Sequence, residues 1–189
     1  MTQQDRLKKH TIIALVQDRP GVLNRIVSKW RQRGFNIESL AVGHSEKAGL
    51  SRMTFVVDAS TDAEQVVKQV DKLVDVVDIR DISGEQIVSR ELAMIKVRVD
   101  AGSRSYIVEI VDLFRANIVD VSANSLTVEV TGDEGKVDAL LELLQDYTVI
   151  ELVRTGRVAM LRGSAVSHPS DEAEEPERYQ GFEPPYSAK

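Results

Sequence analysis

The side chains best suited to chemistry are few and scattered. The 189 residues include no cysteine, and the three histidines are His10, His44 and His168. Without cysteine there is no disulfide, no thiolate nucleophile and no cysteine-based zinc site. No histidine has a carboxylate or second histidine at a ligand spacing such as i, i+4 on one helix, so no metal site is expected. Gly132-Asp133-Glu134-Gly135-Lys136 has the outline of a phosphate loop. However, Val130 stands where the earlier glycine belongs and Val137 where the hydroxyl belongs, and a helix-start turn accounts for these residues. No nucleophile elbow and no dinucleotide glycine fingerprint follows any strand. Acids such as Glu64, Asp71 and Glu142 fit solvated helix faces. No catalytic residue is assigned, which favours a binding or regulatory protein over an enzyme.

The informative junction is Gln17-Asp18-Arg19-Pro20-Gly21-Val22-Leu23. Amide N–H groups at a helix start are unpaired and, with the helix dipole, favour a carboxylate. Gly21 allows close backbone approach, Pro20 fixes φ before it, and Asp18 can accept from an ammonium group. An ordinary strand-to-helix turn is the plainer reading of the same residues. Asn36, in Gly34-Phe35-Asn36-Ile37, adds an amide with both donor and acceptor. If the second strand returns beside the first, Asn36 approaches the loop of a partner subunit.

These residues need elements to position them. Thr11 to Val16 reads as a strand, and Val22, Leu23, Ile26, Val27 and Trp30 form a helical stripe stopped by Gly34. Ile37 to Val42 and Met53 to Val57 are strands, Thr61 and Asp62 cap a second helix striped by Val66, Val67, Val70 and Leu73, and Val76 to Ile82 closes the unit. The order β-α-β-β-α-β then repeats. Its second copy comprises a strand at Leu92 to Val99, a helix from Tyr106 to Phe114, strands at Ile118 to Val121 and Leu126 to Val130, a helix from Val137 to Leu144 and a strand at Val149 to Val153. The fold class is α+β, two tandem ferredoxin-like units. The divisions are a polar lead-in at 1 to 9, a first unit at 10 to 84, a linker at 85 to 90, a second unit at 91 to 163 and a tail at 164 to 189. Each sheet should carry helices on one face and leave the other face or an edge open, a surface that invites self-association.

Charge is uneven along this plan. The chain carries −6 overall, of which residues 164 to 189 contribute six acids against two bases, so the folded part is nearly neutral. That balance argues against a nucleic-acid partner. The tail should be disordered, a solvating segment or a partner-contacting peptide through Tyr179, Phe182 and Tyr186. No apolar run approaches the ~20 residues of a membrane span, and a soluble, cytoplasmic protein is expected. On the first helix, Arg25, Lys29 and Arg33 form a basic row, read as a solvated face rather than a docking surface.

Asp18-Arg19-Pro20-Gly21-Val22-Leu23 resembles the D/N-x-P-G-x-L signature of ACT domains, regulatory modules that often bind amino acids between paired domains. Arg33-Gly34-Phe35-Asn36-Ile37-Glu38-Ser39-Leu40-Ala41-Val42, with Leu50-Ser51-Arg52-Met53-Thr54, is more specific. It resembles the small regulatory subunits of acetohydroxyacid synthase (acetolactate synthase). The likeness runs from about His10 to Gly163 and includes Phe114-Arg115-Ala116-Asn117-Ile118-Val119-Asp120-Val121. The resemblance implies a non-catalytic homodimer, paired through its ACT domains, that activates a catalytic subunit carrying thiamine diphosphate, Mg and FAD. It would confer feedback inhibition by valine and related branched-chain amino acids. It also implies an effector site of Asp18, Gly21, Val22 and Leu23 from one subunit with Asn36 and Ile37 from the other. An amino-acid-responsive regulator of another system and a stand-alone carboxylate enzyme are the alternatives.

Overall fold

The computed structural model describes residues 9 to 58 and 62 to 166. The Thr61 cap, His168 and the three tail aromatics lie outside them. The first unit runs β1 (Lys9–Gln17), α1 (Val22–Arg31), β2 (Ile37–His44), β3 (Leu50–Asp58), α2 (Ala63–Val70) and β4 (Val76–Asp81). The second runs β5 (Ile87–Arg98), α3 (Arg104–Leu113), β6 (Asn117–Val121), β7 (Ser125–Gly132), α4 (Glu134–Leu144), β8 (Val149–Arg154) and β9 (Val158–Leu161). All recorded strand pairings are antiparallel, in the orders β2-β3-β1-β4 and β6-β7-β5-β8, with β9 pairing β5.

The βαββαβ expectation thus holds in both halves. The placing of β2 does not: β3 lies between it and β1, so the second strand does not return beside the first. The reason is local. The polar stretch His44 to Gly49 turns β2 directly into β3 as a hairpin, with His44 opposite Ser51, and β3 takes the place next to β1. This leaves β2 as an edge strand.

Periodicity explains the cores. Ile12, Ala14 and Val16 point from β1 toward the helices, where they meet Val22, Ile26 and Trp30 of α1, Val66 and Val70 of α2, and Phe55 of β3. The Trp30 and Phe55 rings pack with centroids 4.3 Å apart. The second core repeats this, with Ala93, Ile95 and Val97 of β5 against Ile107 and Val111 of α3 and Val137, Leu140 and Leu144 of α4. Asp62 caps α2 by accepting from the Gln65 amide at 3.0 Å. Asp133 caps α4 through the Lys136 amide at 2.8 Å, while Lys136 Nζ donates to Thr131 O, so the phosphate-loop outline is a helix start.

Two expectations change between the units. The first sheet's second face is not open: Ile13 is fully buried and clusters with Ile82 and Ala159, flanked by Ile87 and Leu161. Strand β9 supplies this cover by pairing with residues 87 to 90 of β5. Those residues were expected to be linker, yet they are the first third of a continuous 12-residue strand. The second sheet does keep an open face, where Met94 and Val153 pair across β5 and β8 and are both exposed.

Candidate functional site

The loop between β1 and α1 is held from three sides. The Gln17 amide donates to Asp75 O at 2.8 Å, the Asp18 amide to Gly49 O at 2.9 Å, and Arg25 Nε to Asp75 Oδ2 at 2.7 Å. Gly21 ends the loop as the N-cap of α1 with φ 86°, a left-handed conformation that glycine adopts without Cβ strain. Its carbonyl accepts the first helical bond, from Arg25 at 3.0 Å. No side chain caps this helix. The Val22 amide reaches Arg19 O at 3.3 Å, whereas among the described residues the amides of Leu23 and Asn24 meet no protein acceptor. Two donors at a helix start are therefore open to an anion.

Around these amides, Asp18 is exposed and its Oδ2 lies 3.3 Å from His44 Nδ1 at the end of β2. The histidine-carboxylate contact was invisible to sequence spacing, as was the 2.9 Å contact of His10 Nδ1 with Asp81 Oδ2. Val22 is buried in the core, so its side chain lies away from the loop surface, while Leu23 is 38% exposed beside it. Arg25 bonds Asp75 yet stays exposed, as do Lys29 and, just past the end of α1, Arg33.

Asn36 is exposed just before β2, and Ile37 is half-buried against the first core. Both lie far from the loop of their own chain. Ile37 is opposite Val57, which is opposite His10, whereas Gln17 is opposite Leu50 at the other end of the sheet. Eight residues of β1 separate the two ends, about 25 Å at the usual strand rise. The structure brings Asp18, Gly21 and Leu23 together and sets Asn36 and Ile37 apart from them.

The corresponding loop of the second unit is closed on itself. Asp100 Oδ1 accepts from the Gly102 amide at 2.9 Å, the Ser103 amide at 2.7 Å and Ser103 Oγ at 2.8 Å. Bonds from Ser103 and Gly102 hold the Asp100 carboxyl below the usual carboxylate range. The aspartate thus closes the turn that precedes α3, and, as in the first unit, no side chain caps the helix itself.

A second concavity, of about 480 Å³, lies between the units. Lys9 Nζ reaches Glu38 Oε2 at 2.8 Å and Glu134 Oε1 at 2.9 Å, and Arg157 pairs with Glu134 and donates from Nη1 to Thr11 Oγ1 at 2.9 Å. Burial pushes the Glu134 carboxyl up, but Lys9 and Arg157 outweigh this and hold it below the usual range. Burial likewise pulls Lys9 down, and its two carboxylate partners raise it on balance. Cations and acids here neutralise one another, so the cleft is a joint more than an anion site. Sequence reading missed it because its members are remote from one another along the chain. Among the described residues no cluster of three potential metal ligands forms, and no helix is long and apolar enough to cross a membrane.

A βαββαβ unit with a glycine-led loop and open helix-start amides, its architecture repeated once, defines a protein of the ACT class. Comparison with known proteins narrows this. Residues 12 to 78 match the family model for the AHAS small subunit-like ACT domain, and residues 90 to 163 match that for the small subunit of acetolactate synthase. The acetolactate synthase small subunit of Mycobacterium bovis is 53% identical over 157 residues, 82% of this chain and 94% of that relative. A probable acetolactate synthase small subunit of Archaeoglobus fulgidus is 50% identical over 82% of this chain and 98% of its own. The crystal structure of the acetolactate synthase small subunit from Thermotoga maritima superposes with a TM-score of 0.76 at 41% identity, covering 84% of this chain and 99% of that one. The chain belongs to the acetolactate synthase small-subunit family.

Proposed function

We propose that this chain is a non-catalytic regulatory subunit that pairs with itself through its first unit and activates the catalytic subunit of acetolactate synthase. In this reading it makes that enzyme sensitive to branched-chain amino acids. Thiamine diphosphate, Mg and FAD belong to the catalytic partner. One observation carries the effector assignment: the two halves of the constellation sit at opposite ends of the first sheet, and β2 is that sheet's edge. An antiparallel pairing of β2 with the same strand of a second copy sets Ile37 beside His44 of the partner subunit. It thereby brings Asn36 to the partner's β1-to-α1 loop, and each dimer gains two complete sites.

In that site the Leu23 and Asn24 amides receive the effector carboxylate, and Asp18, with Asn36 of the partner subunit, receives the ammonium. Leu23 and the exposed part of Ile37 face the aliphatic side chain. An apolar wall of this size separates valine from alanine by about 1 to 3 kcal/mol per methylene-sized difference, so leucine and isoleucine bind as well. Valine titrated into wild type and Asn36→Ala tests the site: a weakened Asn36→Ala supports it, and equal affinities exclude Asn36.

A further inference from the structure

The effector strand meets the second unit immediately after the residues that face the effector. Ser39 Oγ accepts from the Arg157 amide at 2.9 Å, across the chain from β2 to the link between β8 and β9. The residue before Arg157 is Gly156, with φ 82°. A Cβ at Gly156 would collide with Ser39 Oγ and stand 3.5 Å from the Leu40 backbone, so only glycine allows this approach. The Arg157 side chain then turns beneath the sheet, donating to the buried Thr11 hydroxyl and pairing with Glu134 at the start of α4. Glu134 in turn bonds Lys9, and Lys9 bonds Glu38, the neighbour of Ile37 and Ser39. The path is a closed ring: β2, the β8-to-β9 link, α4, β1 and back to β2.

β2 has β3 on one side only, and its register with β3 slips between Ile37 and Ser39, at the place where Ser39 meets Arg157. A bulged edge strand is the least constrained part of a sheet. At this slip the position of the strand is therefore set in part by what contacts its face, and Arg157 is that contact.

We propose that Gly156 and Arg157 of the second unit are positioning residues for the effector strand, fixing through Ser39 where Asn36 and Ile37 stand, and in turn sensing their displacement when effector binds. The inference rests on the effector reading above and extends it: it names the contact by which the second unit responds. Coupling of this kind is reciprocal, so a clamp that shapes the effector site must itself feel the effector.

The full-length chain is used, with valine as probe and two readouts. Valine affinity is measured by calorimetry for wild type, Ser39→Ala, Arg157→Met and Gly156→Ala, and backbone hydrogen exchange is followed at residues 155 to 161 with and without valine. Wild type should bind valine and show slower exchange at the link. Ser39→Ala and Arg157→Met should bind valine about tenfold more weakly, within the usual range of coupling energies, and lose the valine-dependent protection. Their activation of the catalytic subunit should persist. Ser39→Ala removes one hydroxyl from a half-buried site and keeps the test intact where Gly156→Ala fails to fold. Wild-type affinity and link protection retained in Ser39→Ala and Arg157→Met overturn the proposal alone. A wild type that binds no valine overturns the effector reading and the proposal with it.

Discussion

Gly21 is where backbone geometry and ligand chemistry meet most closely. Its positive φ of 86° lets the chain turn from β1 into α1 while leaving the helix-start amides open, and a Cβ there would meet Arg25 Nη1 at 3.3 Å. Arg25 is fixed on Asp75, so it cannot give way without loosening the loop brace. Gly21→Ala should therefore cost about 1 to 3 kcal/mol of stability and abolish valine binding, read by thermal unfolding and titration. A variant of wild-type stability that binds valine normally would remove Gly21 from the site. The contrast with Asp100 shows why the two loops differ although their units are alike. In the first the loop aspartate, Asp18, faces His44, and in the second Asp100 folds back onto the Gly102 and Ser103 amides of its own turn. The residues of the first loop were legible in the sequence because glycine, proline and aspartate in that order have few structural uses. The roles of Val22 and Arg25 were not, since burial of one and the Asp75 partner of the other come from tertiary packing.

At the scale of elements, helices and central strands followed from period 3.6 and period 2 patterns, and the β9 segment Val158-Ala159-Met160-Leu161 did not. Four residues carry too little periodicity to mark a strand, and their partners lie on β5, more than sixty residues earlier. The strand order was likewise illegible: spacing shows that β2 exists, while only the hairpin with β3 makes it an edge. That placement keeps Asn36 and Ile37 at the far end of the sheet from the Asp18 loop within one chain. The joint between the units has its own pH signature. Glu134 is held low, so its contribution is present above the ordinary glutamate range and is lost as pH falls through its depressed value. Lys9 is held high, so its contribution is present below the ordinary lysine range and is lost as pH rises through its raised value. The joint is thus fully formed between about pH 5 and pH 10. Glu134→Gln should lower stability by a constant amount across that window. The gap from wild type, followed by denaturant unfolding, should shrink as the pH falls below about 4. A gap that persists unchanged in acid would deny Glu134 its ionic role.

Across the whole molecule, the two units divide the work. The first presents an open helix start and an unpaired edge, and its second face is covered by β9. The second closes its own loop yet exposes more apolar side chains, among them Met94, Val153 and Met160. In the proposed reading this asymmetry has a use: one unit would receive the small molecule, and the other would carry the consequence to a larger partner. The most direct measurement is acetolactate formation by the catalytic subunit, alone and with this chain, across a range of valine concentrations. Turnover should rise when the chain is added and fall again as valine saturates. An unchanged rate on adding the chain, or an activated rate indifferent to valine, would contradict the account.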